Sequence, residues 1–127
     1  MPDKRILVVD DEEELLEQIN KTLSVEGYDV MAVTTGGDAM DRARETVPHL
    51  ILMDIILPDM EGPDAVRLLM EDPLTRNIPV IFLSGIVTRE HKDSALCGVQ
   101  VGGRQYKALS KPFSSKELLV EVRKAVG

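Results

Sequence analysis

The chain has 127 residues, 43% of them hydrophobic, enough for one compact domain with a buried core and too few for two. With 22 acidic and 15 basic side chains the net charge is −7, and there is no tryptophan, so neither a phosphate-binding basic patch nor an aromatic stacking platform is expected, and direct nucleic-acid or anionic-membrane binding is disfavoured. The single cysteine, Cys97, excludes an internal disulfide and a cysteine-rich zinc site; an N-terminus too short for a signal peptide and the lack of any apolar run of membrane length make the cytoplasm the expected location.

The run Ile6-Leu-Val-Val9 is apolar at every position, the pattern of a strand covered on both sheet faces. Leu15, Ile19 and Leu23 then recur at i, i+4 and i+8 with Leu16 beside them, predicting an amphipathic helix closed by Gly27. Residues 28–34 predict a weaker, edge-type strand. Gly36-Gly37 opens a second helix, carried by Ala39, Met40, Ala43 and Val47 and ended by Pro48. A second doubly apolar run, Leu50-Ile-Leu-Met53, leads into a loop at 57–63. There Asp59 and Glu61 are expected as turn residues and Gly62 at positive φ. Val66, Leu69 and Met70 predict the third helix, Pro79 precedes a third apolar run, Val80-Ile-Phe-Leu83, and Leu118, Val122 and Ala125 predict the last helix. Between them, residues 88–105 have sparse apolar positions broken by Gly98, Gly102 and Gly103, and predict a short helix with a loose exit; residues 106–110 predict an edge strand. Alternating strands and helices imply right-handed βαβ units. The expected fold is α/β, a doubly wound five-stranded parallel sheet in the flavodoxin-like order 2-1-3-4-5 with helices on both faces, one domain over 1–127.

In open α/β sheets ligands sit beyond the carboxyl ends of the strands. Here those ends carry Asp10-Asp11, Asp54, Ser84 and Lys111-Pro112. In the expected strand order the first and third strands are neighbours, so the three carboxylates converge. Two carboxylates about 4 Å apart repel by roughly 4 kcal/mol at an effective dielectric near 20, about three pKa units. A cation relieves this, and oxygen-only donors favour Mg²⁺, whose shell phosphate oxygens commonly complete. Lys111 adds a point charge and Ser84 a hydroxyl donor, which suits a phosphoryl group.

With Val8-Val-Asp-Asp11, Leu52-Met-Asp-Ile-Ile-Leu-Pro-Asp-Met-Glu-Gly62, Phe82-Leu-Ser-Gly85 and Leu109-Ser-Lys-Pro-Phe113 in order at strand ends, the sequence resembles the response-regulator receiver domains of two-component signalling, of the chemotaxis-receiver type. The resemblance covers nearly the whole chain. It implies that Asp54 accepts a phosphoryl group from a sensor histidine kinase or phosphotransfer protein, and that Asp11, Asp54 and the backbone carbonyl of Ile56 bind Mg²⁺, with Asp10 assisting through water. It further implies that Lys111 pairs with the phosphoryl oxygens, that Ser84 swings to hydrogen-bond them, and that the Lys111–Pro112 bond is cis. The partner downstream is a separate protein or a fused output domain, and self-association is expected through the face of the fourth helix, fifth strand and fifth helix. No enzyme activity is expected beyond the domain's own phosphotransfer and slow autodephosphorylation, slow because Ile56 and Ile86 flank the site with apolar side chains.

Two features depart from the family. The aromatic residue usual three positions before the lysine is Ala108, with Tyr106 two residues earlier on the same strand parity, and the interval from Ser84 to Lys111 is long. Glu12, Glu13 and Glu14 are expected only to favour a helix N-terminus, and His49 and His91 to lie at the surface. The rival from another class is a haloacid-dehalogenase-type phosphatase with an Asp nucleophile, disfavoured because its Asp-x-Asp pattern after the first strand is replaced by adjacent Asp10-Asp11. A receiver-shaped module that is never phosphorylated is opposed by the complete set of site positions.

Overall fold

The computed structural model of the protein describes residues 4–85 and 96–126, with backbone alone at 96–98. In chain order the elements are β1 (Arg5–Val9), α1 (Glu13–Val25), β2 (Asp29–Val33), α2 (Gly36–Thr46), β3 (Leu50–Asp54), α3 (Gly62–Glu71), β4 (Val80–Ser84), β5 (Leu96–Val101), β6 (Arg104–Ser110) and α4 (Ser115–Val126). They form one six-stranded sheet in the order β2-β1-β3-β4-β6-β5. Its first five members in that order are all parallel and follow the expected 2-1-3-4-5 arrangement, with β6 in the fifth place.

Why the central runs show no polar alternation is visible in the side-chain parity. Leu7, Val9, Ile51, Met53, Phe82 and Ala108 pack on one face against Ala39 and Ala43 of α2 and Ala65, Val66 and Leu69 of α3. Ile6, Val8, Leu50, Leu52, Ile81 and Leu83 pack on the other against Leu16, Ile19 and Leu23 of α1 and Leu118 and Val122 of α4. Both parities are buried, so both must be apolar. A reciprocal capping box starts α4: Ser114 N–H donates to Glu117 Oε1 and Glu117 N–H to Ser114 Oγ, each at 3.1 Å.

The sheet departs from expectation at one edge. Within 88–105, where a short helix with a loose exit is expected, residues 96–101 instead form β5, antiparallel to β6, and the preceding residues lie outside those described. Gly102 and Gly103, at φ +56 and +80, make the two-residue turn. Two consecutive left-handed residues match the right-handed twist of a hairpin, which explains the glycine pair that reads in sequence as an interruption. In consequence 106–110 belong to an interior strand, flanked by β4 and β5, and the sheet edge that the expected self-association face assigned to the fifth strand is covered by β5. His49, expected only at the surface, extends the sheet: its Nδ1 accepts from Arg5 N–H at 2.9 Å and its own N–H donates to the Arg5 carbonyl at 2.8 Å. No helix among the described residues is long and apolar enough to cross a membrane.

Candidate functional site

Parallel register brings the strand ends level. Val9 pairs with Met53, Asp54 with Leu83, and Ser84 with Ser110, so the residues that follow or close these strands meet at one rim. Lys111 is fixed there by its own backbone, whose N–H donates to the Ser84 carbonyl at 2.8 Å, and the Lys111–Pro112 bond is cis.

Asp10, Asp11 and Asp54 each offer a carboxylate oxygen within 4.8 Å of the others. Asp10 is fully buried; its Oδ1 accepts from Glu12 N–H at 2.9 Å and its Oδ2 from Lys111 Nζ at 2.7 Å. The same ammonium lies 3.6 Å from Asp54 Oδ2 and 3.5 Å from Glu12 Oε1. One lysine therefore serves several acids. Burial pushes the Asp54 carboxyl above its ordinary range; Asp10 and, more weakly, Asp11 push the same way, against the lowering effect of Lys111 and the Ile56 N–H. Burial alone lowers Lys111, but its hydrogen bond and ion pair to Asp10, with Asp54 and Glu12, outweigh that and hold it protonated above the usual lysine range.

The donor set fits a divalent ion with oxygen ligands. Carboxylate oxygens gathered within 4.8 Å of one another are the hard donors Mg²⁺ takes, one or two of them directly and the rest of its shell as water or phosphate oxygen. The charge on the rim, acidic beyond what one lysine neutralises, supplies the reason to bind it.

Of the expected site residues, Asp10, Asp11, Asp54 and Lys111 meet directly. Ser84 closes β4 at the same rim, 1% exposed. Ile56 follows Asp54 with an exposed side chain, its N–H 3.5 Å from Asp54 Oδ1. Ile86 lies outside the described residues. Glu12 was expected only as a helix-terminal acid, and its approach to Lys111, 99 positions away, has no local signal. Gly62 does not take the positive φ expected of it. Its requirement is space: a Cβ there would lie 2.3 Å from the Asp54 carbonyl oxygen. Asp59 is more than a turn residue, since its two carboxylate oxygens accept from Gly36 N–H at 2.8 Å and Gly37 N–H at 2.9 Å. Tyr106 is buried edge-to-face on Phe82, ring centroids 5.9 Å apart, and Ala108 is buried beside it in the strand.

Residues 6–123 match the response regulator receiver domain family. The DNA-binding response regulator MtrA of Mycolicibacterium smegmatis is 35% identical over 120 residues, covering 94% of this chain and 49% of MtrA, and the chain spans about half the length of several such relatives. Protein PilH of Pseudomonas aeruginosa is 35% identical over 115 residues, covering 91% of each. Among solved structures, the receiver domain of sensor histidine kinase PA1611 from Pseudomonas aeruginosa, which has a magnesium ion coordinated in its active-site cleft, superposes with a TM-score of 0.83 at 26% identity over 99% of both chains. A CheY-like receiver domain from Methanospirillum hungatei gives 0.82 at 26% identity, over 98% of this chain and 94% of that one.

Proposed function

This chain belongs to the response regulator receiver domain family, and on that premise we propose that it takes a phosphoryl group onto Asp54 in a Mg²⁺-dependent step and thereby changes its affinity for a partner. One observation carries the proposal: Asp54 closes a central strand with oxygens of Asp10 and Asp11 within 4.8 Å and the Lys111 ammonium 3.6 Å away. The donor is a phosphohistidine on a sensor kinase or phosphotransfer protein. An Asp54 oxygen attacks phosphorus, the N–P bond breaks with its electron pair going to the imidazole nitrogen, and an acyl phosphate results. No general base is needed, because the nucleophile is already an anion.

Asp11, Asp54 and the Ile56 carbonyl would hold Mg²⁺, with Asp10 through water, and the ion supplies positive charge that offsets both the carboxylate repulsion and the phosphoryl oxygens. Lys111 then transfers part of its hydrogen bonding from Asp10 to a phosphoryl oxygen, and Ser84 donates its hydroxyl to another. That local charge event biases the rim toward a second arrangement, which a separate partner or a fused output domain reads. The domain turns over no external substrate on this account, acts in the cytoplasm, and loses its phosphoryl group slowly. No observation at the rim favours the haloacid-dehalogenase-type alternative.

Intact-mass measurement after incubation with acetyl phosphate tests the proposal. One phosphoryl group is expected with Mg²⁺ and none after chelation, and Asp54→Asn should take up none; uptake by that variant equal to wild type would overturn the acceptor assignment.

A further inference from the structure

Seven residues, 55–61, connect β3 to α3, and the proposed metal ligand Ile56 lies within them. They form a miniature hairpin: Ile56 bridges Glu61 in antiparallel fashion, and Leu57 N–H donates to the Met60 carbonyl at 3.1 Å. At its base Ile55 N–H reaches the Leu83 carbonyl at 3.3 Å and Gly62 N–H the Ile55 carbonyl at 2.6 Å. Pro58 and Asp59 form its tip. A two-residue tip on such a short ladder does not hold itself in place, since an isolated hairpin is at best marginally stable in water.

Asp59 supplies the second anchor. Its two oxygens take the first two backbone N–H groups of α2, while Thr35 Oγ1 takes the third, from Asp38 N–H at 3.1 Å, and the helix's own ladder begins with Ala39 N–H on the Thr35 carbonyl at 3.1 Å. Three of the four donors that a helix start leaves without an intrahelical partner are thus satisfied, two of them by a residue more than twenty positions away. The bonds are charge-assisted and aligned with the helix dipole, and the two N–H groups hold the Asp59 carboxyl below its ordinary range. Met60 closes the joint by lying over Gly36, where a Cβ would come within 2.5 Å of its Cγ. Gly36, lacking a side chain, leaves the space that the Met60 side chain fills.

Building on the phosphoacceptor assignment above, we infer that Asp59 is a positioning residue for the metal site: by clamping the hairpin tip to the N-terminus of α2 it fixes the Ile56 backbone at the distance from Asp54 that divalent-cation binding requires. Outer residues that orient metal ligands typically change affinity by about 10–100-fold when removed. Asp59 touches neither the ion nor the phosphoryl group, so its effect falls on Mg²⁺ affinity and leaves the acceptor unchanged.

The test is isothermal titration of the full chain with MgCl₂ for wild type, Asp59→Ala, Asp59→Asn and the exposed control Asp41→Ala, with hydrogen exchange of residues 55–61 measured alongside. Asp59→Ala should bind Mg²⁺ about tenfold more weakly and exchange faster in the hairpin. Asp59→Asn, which keeps one acceptor, should fall between, and Asp41→Ala, which removes the same charge elsewhere, should match wild type. At saturating Mg²⁺ the Asp59 variants should still take one phosphoryl group from acetyl phosphate. Wild-type Mg²⁺ affinity in a folded Asp59→Ala or Asp59→Asn protein, or an equal loss in Asp41→Ala, overturns the inference. Failure of the wild type itself to bind Mg²⁺ overturns instead the phosphoacceptor assignment on which it rests.

Discussion

Two aspartates five positions apart, Asp54 and Asp59, are treated oppositely by the same fold. Asp54 lies buried at the rim among other carboxylates, and its acidity is weakened; Asp59 is exposed at a loop tip, and two backbone N–H groups strengthen it. At the rim, like charges crowd around one shared lysine, whose single positive charge does not balance them. At the tip, one charge meets two aligned donors and needs nothing further. Sites that must bind an external ion carry local instability that a purely structural contact has no reason to keep. The chain between the two aspartates therefore joins a strained centre to a settled anchor.

Gly62 is where that connection is tightest, and Gly62→Ala breaks it most severely. A methyl group would meet the Asp54 carbonyl oxygen at 2.3 Å and the Ile55 Cα at 3.1 Å, both main-chain atoms with no flexible end to give way. The backbone must move, so urea unfolding should show a loss of about 3 kcal/mol, near the upper end for overpacked positions. A loss under about 0.5 kcal/mol, the ordinary surface range, would show that rim and hairpin are not rigidly joined there.

How much of this was legible in sequence divides along the same line. The three doubly apolar runs, and the rim residues that end them, could be read because strand-end position is a local property and both sheet faces are covered. Asp59 could not be, because its partners Gly36 and Gly37 are 23 and 22 positions away and no spacing rule links a turn carboxylate to a distant helix start. Gly62 was recognised as special but for the wrong reason, since crowding at 2.3 Å is a property of packing and not of a turn type. The β5–β6 hairpin was misread because Gly102-Gly103 interrupts a helix pattern as well as it makes a two-residue turn. The alternation on both sides, Val99, Val101, Tyr106 and Ala108 turned inward around exposed Gln100 and Lys107, was the signal available for it.

A smaller effect of opposite sign is expected from Asp54→Asn in the metal-free protein. The folded protein holds the Asp54 proton more tightly than the unfolded chain, whose carboxyl titrates near the ordinary 3.8. Between that value and the raised one the folded state binds more protons, so stability falls as pH rises through the interval and stays lower above it. Asparagine removes the charge that causes the loss. At neutral pH without Mg²⁺ the variant should be more stable than wild type, by about 1 kcal/mol, and its stability should lack that decline. Saturating Mg²⁺ should erase most of the wild type's disadvantage through binding to the folded state alone. Equal stability of the two proteins without metal would show that the rim is not electrostatically strained.

The smallest effect is the mirror image, at Asp59. Here the folded protein holds the proton less tightly than the unfolded chain, so below 3.8 the unfolded state binds more protons. Stability from this contact is complete above that value and is lost as pH falls through the depressed one. The deficit of Asp59→Asn relative to wild type should therefore be constant from neutral pH down to the ordinary carboxylate range and shrink beneath it. Thermal unfolding of both proteins across that range, in chelator, measures the difference directly. A deficit that instead shrinks on raising the pH would mean that the carboxylate is opposed by its surroundings, as at the rim, and the contrast between the two aspartates would disappear.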